Sequence, residues 1–328
     1  MTVSSYPRNT YTPYITPIEP LEKLSKHLGG PNIYVKRDDM LGLAAGGNKT
    51  RKLEYLMADA MAKGADTLIT CGALQSNHCR LTLAAAAKEG LACHLVLLEL
   101  PKQYDSHANG NNFLFHLMGA TVHVVPQGGD YAGKMQQVAD TLAAQGKRPY
   151  IIPLAGSNDL GTLGYVRCAE ELISQLGDAQ LAVDHIVVAS GSGGSQAGLL
   201  AGLSGLGRDI PVTGISVLRD IPMQHGIIYE LANQVCHNLN YPAIAADDVI
   251  LFDFIGSGYA KPSAEMVDAV TLVARCEGIL LDPSYTGKAM AGLISLMQDG
   301  YFDTCENILF LHTGGSPGLY AYTDAFSF

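Results

Sequence analysis

The sequence predicts an α/β protein of two domains, each a mostly parallel twisted sheet with helices on both faces. Three observations predict it. Short apolar runs alternate with segments whose apolar residues recur every three or four positions, along nearly the whole chain. A length of 328 residues corresponds to about two domains. Hydrophobic residues make up 48% and charged residues only 16%, a balance that supplies a large core and excludes a disordered or highly charged coiled-coil chain.

Taken in order, residues 33–36, 66–70, 93–100 and 121–125 read as strands, each bounded by Gly, Pro or polar clusters. Helical periodicity covers 50–63, 77–88, 110–118 and 131–145 between and after them. The strand pattern resumes at 150–154, 185–189, 212–218, 249–254 and 308–312, with helical stretches between. Such β-α-β alternation implies parallel pairing, because each crossover must return over the sheet. Gly/Ser/Asn-rich turns at 155–166 and 44–50 mark boundaries that would set a smaller domain, 49–159, inside a larger one of 1–48 plus 160–328.

Charge and composition exclude several function classes. With 21 Lys+Arg against 31 Asp+Glu the net charge is −10, which argues against nucleic-acid partners but leaves room for one local basic pocket. No run reaches about 18 apolar residues, and residues 1–14 lack the basic and apolar regions of a secretory signal, so a soluble, cytoplasmic protein without membrane partners is expected. The seven cysteines show no CxxC spacing and read as reduced thiols, and the ten histidines show no HExxH or paired spacing, so no metal site is expected. Glycine is in excess, 36 of 328 residues against a usual share of about 7%.

In this architecture ligands collect where strands end and helix N-termini begin. Three junctions stand out. Residues 190–198 (SGSGGSQAG) follow a strand and open a helix, so their glycines let consecutive N–H groups converge on an anion. A plain Gly-rich turn would look the same. The dinucleotide pattern GxGxxG fails there, because Gln196 stands where the last glycine belongs; this disfavours a nicotinamide oxidoreductase. Residues 46–55 place Lys49 and Lys52 on one face at a helix start, where the macrodipole disfavours cations, so an anion or a covalent partner explains them better than helix stability. A lysine amine of depressed pKa is what a Schiff base requires. At 71–80, Ser76 and Asn77 suit an N-cap and equally suit a carboxylate grip with a hydroxyl proton relay; spacing leaves both readings open. Two further strand-to-helix turns carry Asp282, Tyr285 and Thr286, and Thr313. The second contains GxSxG, but no histidine follows His312, so the α/β-hydrolase order is absent.

Together these strings, above all VKRDDMLGLAAGGNKTRKLEYLMADA, LQSNH, GTLGYV, EGILLDPSYTGKAM and LHTGG, resemble the fold type II (tryptophan-synthase-β-like) pyridoxal phosphate enzymes. They are similar in particular to the branch holding 1-aminocyclopropane-1-carboxylate (ACC) deaminase and D-cysteine desulfhydrase, over about residues 17–322. The resemblance implies pyridoxal 5'-phosphate as cofactor, a small amino-acid substrate and a homodimer. It implies that Lys49 holds the cofactor covalently and moves protons at the substrate α-carbon. Lys52 with Gly191, Ser192, Gly193, Gly194 and Ser195 would bind the phosphate, and Asn77 the ring oxygen. Ser76, Asn77 and His78 would hold the substrate carboxylate. Tyr259 and Tyr285 would line the substrate side, Tyr285 assisting departure of the β-substituent, with Thr286 and Thr313 nearby. ACC deaminases carry a glutamate where this chain has Thr286 and a leucine where it has Thr313; D-cysteine desulfhydrases share the Thr pair. A hydroxyl holds a proton on the ring nitrogen less firmly than a carboxylate, so the pair implies β-elimination of D-cysteine rather than ring opening. L-cysteate or another β-substituted alanine, ACC itself, and a binding protein without turnover are the alternatives. The segment 256–266 departs from the family's usual string after the first tyrosine.

Overall fold

The middle strands carry the most continuous apolar runs in the chain, which is how strands buried on both faces read. The structure is a computed structural model that describes residues 2–100 and 103–327. In chain order the elements are β1 (Ile18–Pro20), α1 (Glu22–Leu28), β2 (Asn32–Lys36), α2 (Lys49–Ala62), β3 (Thr67–Ala73), α3 (Asn77–Glu89), β4 (Ala92–Leu98), α4 (Asn111–Leu117), β5 (Thr121–Val125) and α5 (Tyr131–Ala144). They continue with β6 (Pro149–Ile151), α6 (Asp159–Asp178), β7 (His185–Ser190), α7 (Gly194–Gly205), β8 (Val212–Ser216), α8 (Ile221–Leu239), β9 (Ile250–Asp253), α9 (Ala264–Glu277), α10 (Thr286–Gln298), β10 (Asn307–Leu311) and α11 (Ser316–Leu319).

The strands form two sheets. One has six strands in the order β1-β2-β10-β7-β8-β9, parallel except for β1, and the other has four parallel strands ordered β5-β4-β3-β6. Each is covered on both faces: the larger by α6, α7 and α8 on one side and α1, α9 and α10 on the other, the smaller by α2 and α3 against α5. The α/β class with mostly parallel sheets is therefore the observed one. Two elements were not expected. The antiparallel strand β1 and the short helix α1 sit at the edge of the larger sheet, where a three-residue strand containing Pro carries too little alternation to be recognised. The expected strand 150–154 is shorter, because Pro153 cannot donate to a ladder and a 3-10 turn, Leu154–Gly156, follows it. No helix of the described residues is long and apolar enough to cross a membrane, and all seven cysteines are free.

Side-chain caps fix where several helices begin: Ser76, Asp130, Asn158, Asp220 and Ser263 each accept from the backbone N–H three residues on. The helix starts at α2, α3, α7 and α10 meet around one cavity, and close backbone approach packs α2 and α7 against α6. A Cβ on Gly164 of α6 would lie 2.4 Å from the Arg51 carbonyl carbon of α2, and one on Gly198 of α7 would lie 2.5 Å from the Cβ of Tyr165 of α6.

Replacing Gly198 by alanine should cost about 1–3 kcal/mol, because the α6–α7 contact has no room to give. Gly177, also in α6, has open space around its Cβ position, so Gly177→Ala should be neutral or stabilising by up to about 1 kcal/mol. Urea unfolding midpoints of the two variants check both signs.

Candidate active site

The four gathered helix starts and the ends of β7 and β10 enclose a cavity of about 270 Å³. Its wall carries Lys49, Ser76, Asn77, His78, Gly191, Ser192, Gly193, Ser195, Tyr259, Tyr285 and Thr313 together with Asn48, Arg219, Gln196 and the apolar Leu98, Leu100 and Tyr131. Eleven of the fourteen residues singled out in the sequence thus meet around one space, from segments as far apart as 49 and 313. Lys52, Gly194 and Thr286 are not in the wall.

Lys49 is the first residue of α2, and its Nζ donates to Asn48 Oδ1 at 3.0 Å. Burial pushes its amine down to about 8, opposed by the attraction of Asp282. Lys52, one turn on, is 1% exposed and its Nζ donates to Ser157 Oγ at 2.7 Å. Burial and the neighbouring Lys49 hold it well below the usual lysine range. Lys52 misses the cavity wall because it approaches the Gly-rich turn from behind: a Cβ on Gly194 would lie 2.5 Å from Lys52 Nζ and 2.7 Å from Ser157 Oγ. Ser157 continues the chain of hydroxyls to Ser192 Oγ, 2.7 Å away, and Asn48 Nδ2 donates to Ser195 Oγ at 3.0 Å. Gly193 has a φ of 84°, open to glycine, and turns the chain so that N–H groups and the α7 N-terminus face one point.

Ser76 performs its capping role, its Oγ accepting from Cys79 N at 3.1 Å. The N–H groups of Asn77 and His78 have no acceptor among the described residues and open α3 toward the cavity. The His78 ring is buried, with Nε2 2.7 Å from Thr70 Oγ1; burial, then Lys49 and Lys52, keep it neutral. Opposite, the Tyr259 and Tyr285 hydroxyls are 2.6 Å apart. Burial raises both, Tyr285 to about 12, so both phenols hold their protons at neutral pH.

Thr286 departs from its expected place. It begins α10, is fully buried, and its Oγ1 donates to Asp282 Oδ1 at 2.9 Å while accepting from Asp282 N at 2.8 Å. Tyr285 faces the cavity, and the next residue, turned by the helix, points into the protein. The cavity wall carries no Asp or Glu among the described residues. Asp282 lies behind it, its carboxylate filled by the N–H groups of Ser284, Tyr285 and Thr286. Sequence reading missed Asn48, Ser157 and Arg219, the last donating to Gly191 O at 2.6 Å. Asn48 and Ser157 stand within the very turns identified as boundaries; Arg219 had no local signal.

The donor set fits pyridoxal phosphate: a buried amine of low basicity, and beside it a glycine cradle backed by a lysine that a Cβ would displace. Comparison with known proteins agrees. The family described as pyridoxal-phosphate dependent enzyme matches residues 10–314. The chain belongs to that family. It is 46% identical to a D-cysteine desulfhydrase of Klebsiella pneumoniae subsp. pneumoniae, over 98% of this chain and 97% of that one. It is 43% identical to a D-cysteine desulfhydrase of Yersinia enterocolitica, over the same shares. A crystal structure described as an ACC deaminase homologue superposes with a TM-score of 0.90 at 39% identity, covering 98% of this chain and 96% of that one. The chain is thus a pyridoxal-phosphate-dependent enzyme of fold type II.

A lysine attacks an aldehyde only as the free amine. Loading of the cofactor-free protein with pyridoxal phosphate should therefore speed up as pH rises toward about 8 and level off above it. Stopped-flow absorbance across pH checks this; a rise continuing to the ordinary lysine pKa near 10.4 would contradict the lowered basicity.

Proposed function

We propose that the protein is a D-cysteine desulfhydrase, converting D-cysteine and water to pyruvate, ammonia and hydrogen sulfide. The observation that carries this reading is a cavity wall with cations and hydroxyls but, among the described residues, no carboxylate. Such a wall cannot hold a proton firmly on the cofactor's ring nitrogen, which suits an elimination whose carbanion is relieved by a good leaving group. The full-length similarity to D-cysteine desulfhydrases supports the same choice over L-cysteate, other β-substituted alanines and ACC.

Bound pyridoxal phosphate supplies the electron sink that makes the substrate α-proton acidic. Lys49 would hold it, and the lowered basicity of its amine suits it to take the proton from the substrate α-carbon near neutral pH. The N–H groups and hydroxyls of Gly191, Ser192, Gly193, Gly194 and Ser195 would hold the cofactor's phosphate, with Lys52 and Ser157 behind them. Asn77 would hold the ring oxygen and Thr313 the ring nitrogen, both standing in the cavity wall. The free N–H groups of Asn77 and His78, with Ser76, bind the substrate carboxylate. Tyr285 gives a proton to the departing sulfur, and Tyr259, 2.6 Å away, orients its hydroxyl. Thr286 acts from behind, fixing Asp282 and so the turn that carries Tyr285.

The division into domains, 1–48 plus 160–328 and 49–159, belongs to the same reading; it is supported by the strands, since all four of the smaller sheet fall between 67 and 151. A cytoplasmic location is read from the cysteines, all seven of them free, and a homodimer from the family resemblance.

A panel of D-cysteine, L-cysteate and ACC, scored for pyruvate, 2-oxobutanoate and sulfide, should give pyruvate and sulfide from D-cysteine; keto acid from another member alone would overturn the substrate. Lys49→Ala should lose the visible absorbance of covalently held cofactor and at least about 10³-fold of the activity. Tyr285→Phe should slow elimination by about 10²-fold while exchange of the α-proton with deuterated solvent continues. Loss of both together would place Tyr285 at the earlier step.

A further inference from the structure

Arg80, in the first turn of α3, is fully buried, yet it enters no ion pair among the described residues. Its guanidinium donates to three neutral oxygens: Asn111 Oδ1 at 2.8 Å, Gly46 O at 2.6 Å, and Asn77 Oδ1. Its Nε has no partner. Arg51, at similar depth in α2, is by contrast gripped by two carboxylates. Burial pushes the pKa of Arg80 down with only the attraction of Asp282 against it, but a guanidinium keeps its proton at neutral pH, so the charge stays without a paired carboxylate. A cation in a first helical turn also opposes the macrodipole. Both costs point to a negative group supplied by a ligand.

The route to that ligand runs through Asn77. An arginine N–H can meet only the amide oxygen, so Arg80 fixes which way the Asn77 amide faces. Nδ2 then has no acceptor among the described residues, and Asn77 is part of the cavity wall. Gly47 holds it in place, since a Cβ there would come within 2.6 Å of Nδ2. The same short segment, 46–49, gives Arg80 an acceptor at Gly46 and the cavity its amine at Lys49. In pyridoxal phosphate the ring oxygen sits on the atom next to the one bearing the aldehyde. A cofactor joined to Lys49 would therefore present that oxygen close to the point of attachment, in the cavity whose wall Lys49 and Asn77 share.

We propose that Arg80 is a positioning residue that locks and polarises the Asn77 amide, so that the ring oxygen of the bound cofactor is kept in its ionised form. This rests on the pyridoxal phosphate reading of the cavity. No direct contact between Arg80 and the cofactor is involved.

The test uses the holoenzyme and its Arg80→Met, Arg80→Gln and Arg80→Lys variants, each loaded with pyridoxal phosphate, with circular dichroism and melting temperature as checks on folding. The readout is the ratio of visible to near-ultraviolet absorbance at fixed neutral pH, which reports ionised against un-ionised ring oxygen. In Arg80→Met and Arg80→Gln the ratio should fall by about tenfold, one unit in the protonation equilibrium. Arg80→Lys keeps the charge but cannot span Gly46, Asn77 and Asn111 together, and should give an intermediate ratio. In an Asn77→Ala background, Arg80→Met should change nothing further. An unchanged ratio in folded, loaded Met and Gln variants overturns the proposal whatever the melting temperature does, and so does a full effect of Arg80→Met without Asn77. If the neutral variants do not fold, Arg80→Lys decides alone: a wild-type ratio overturns the proposal. Failure of the cofactor reading looks different, since the unaltered protein would then show neither band after incubation with pyridoxal phosphate.

Discussion

Everything at the cavity depends on where α2 begins, and that is fixed by a buried ionic lattice beneath it. Arg51 uses both ends of its fork: Nε and NH2 bind the Asp38 carboxylate at 2.8 Å, and NH1 and NH2 bind Glu171 at 2.9 Å. Glu171 is shared with Lys36, whose Nζ also reaches Thr16 O at 2.6 Å and Gln175 Oε1 at 2.5 Å. Tyr165 donates to Asp38 as well. The lattice therefore ties α2 to β2, to the 3-10 turn after it, to α6 and to the segment before β1. Burying so many charges is costly, and removing one partner leaves the rest unpaired. Such a network contributes definition rather than large net stability. Lys49 and Lys52 flank Arg51 in sequence, so the position of both amines is inherited from it.

A second constraint is backbone proximity. The turn before Lys49 and the turn after β10 touch through glycine: a Cβ on Gly314 would lie 2.5 Å from Gly47 Cα, and Asn48 N donates to Thr313 O at 2.9 Å. One on Gly191 would lie 2.9 Å from Tyr285 Cε1. Glycine is in excess because segments remote in sequence must converge on a ligand-sized space. Four alanines share the strain: Ala44 (φ 21°) and Ala45 (φ 64°) in the turn before Lys49, Ala155 in the cavity wall with φ 58°, and Ala260, just after Tyr259, with φ 55°. Conformations of this kind persist where surrounding structure over-determines them.

What was legible in the sequence follows from the range of the forces involved. Parallel strands such as β5 at 121–125 and helices such as α5 could be placed to within a residue or two, because their burial pattern is local and periodic. The glycine turns and the lysine pair were legible because each breaks a local rule. Thr286 was misplaced because a one-residue step along a helix start decides between cavity and interior, and nothing in the string DPSYTGK tells which. Arg80 and Arg51 look alike in sequence, each an arginine in the first turn of a helix. Only the fold shows that one meets carboxylates and the other meets amide and carbonyl oxygens.

The net charge of −10 and the cavity's character are reconciled by separation. Lys49 stands in the cavity wall with the starts of α3 and α7, Lys52 and Arg80 are buried outside that wall, and the carboxylate of Asp282 is saturated by backbone N–H groups. Exposed acidic side chains act on the cavity only through solvent, where interactions fade over about 8 Å at physiological ionic strength. An amino-acid zwitterion carries little net charge and approaches such a surface without penalty. A phosphate monoester dianion meets the opposing field outside and the strongest attraction only at the cradle. The cavity thus combines retention of one small dianion with free entry of a zwitterionic substrate, while an anionic keto-acid product, once outside, meets the same opposing field and does not readily return.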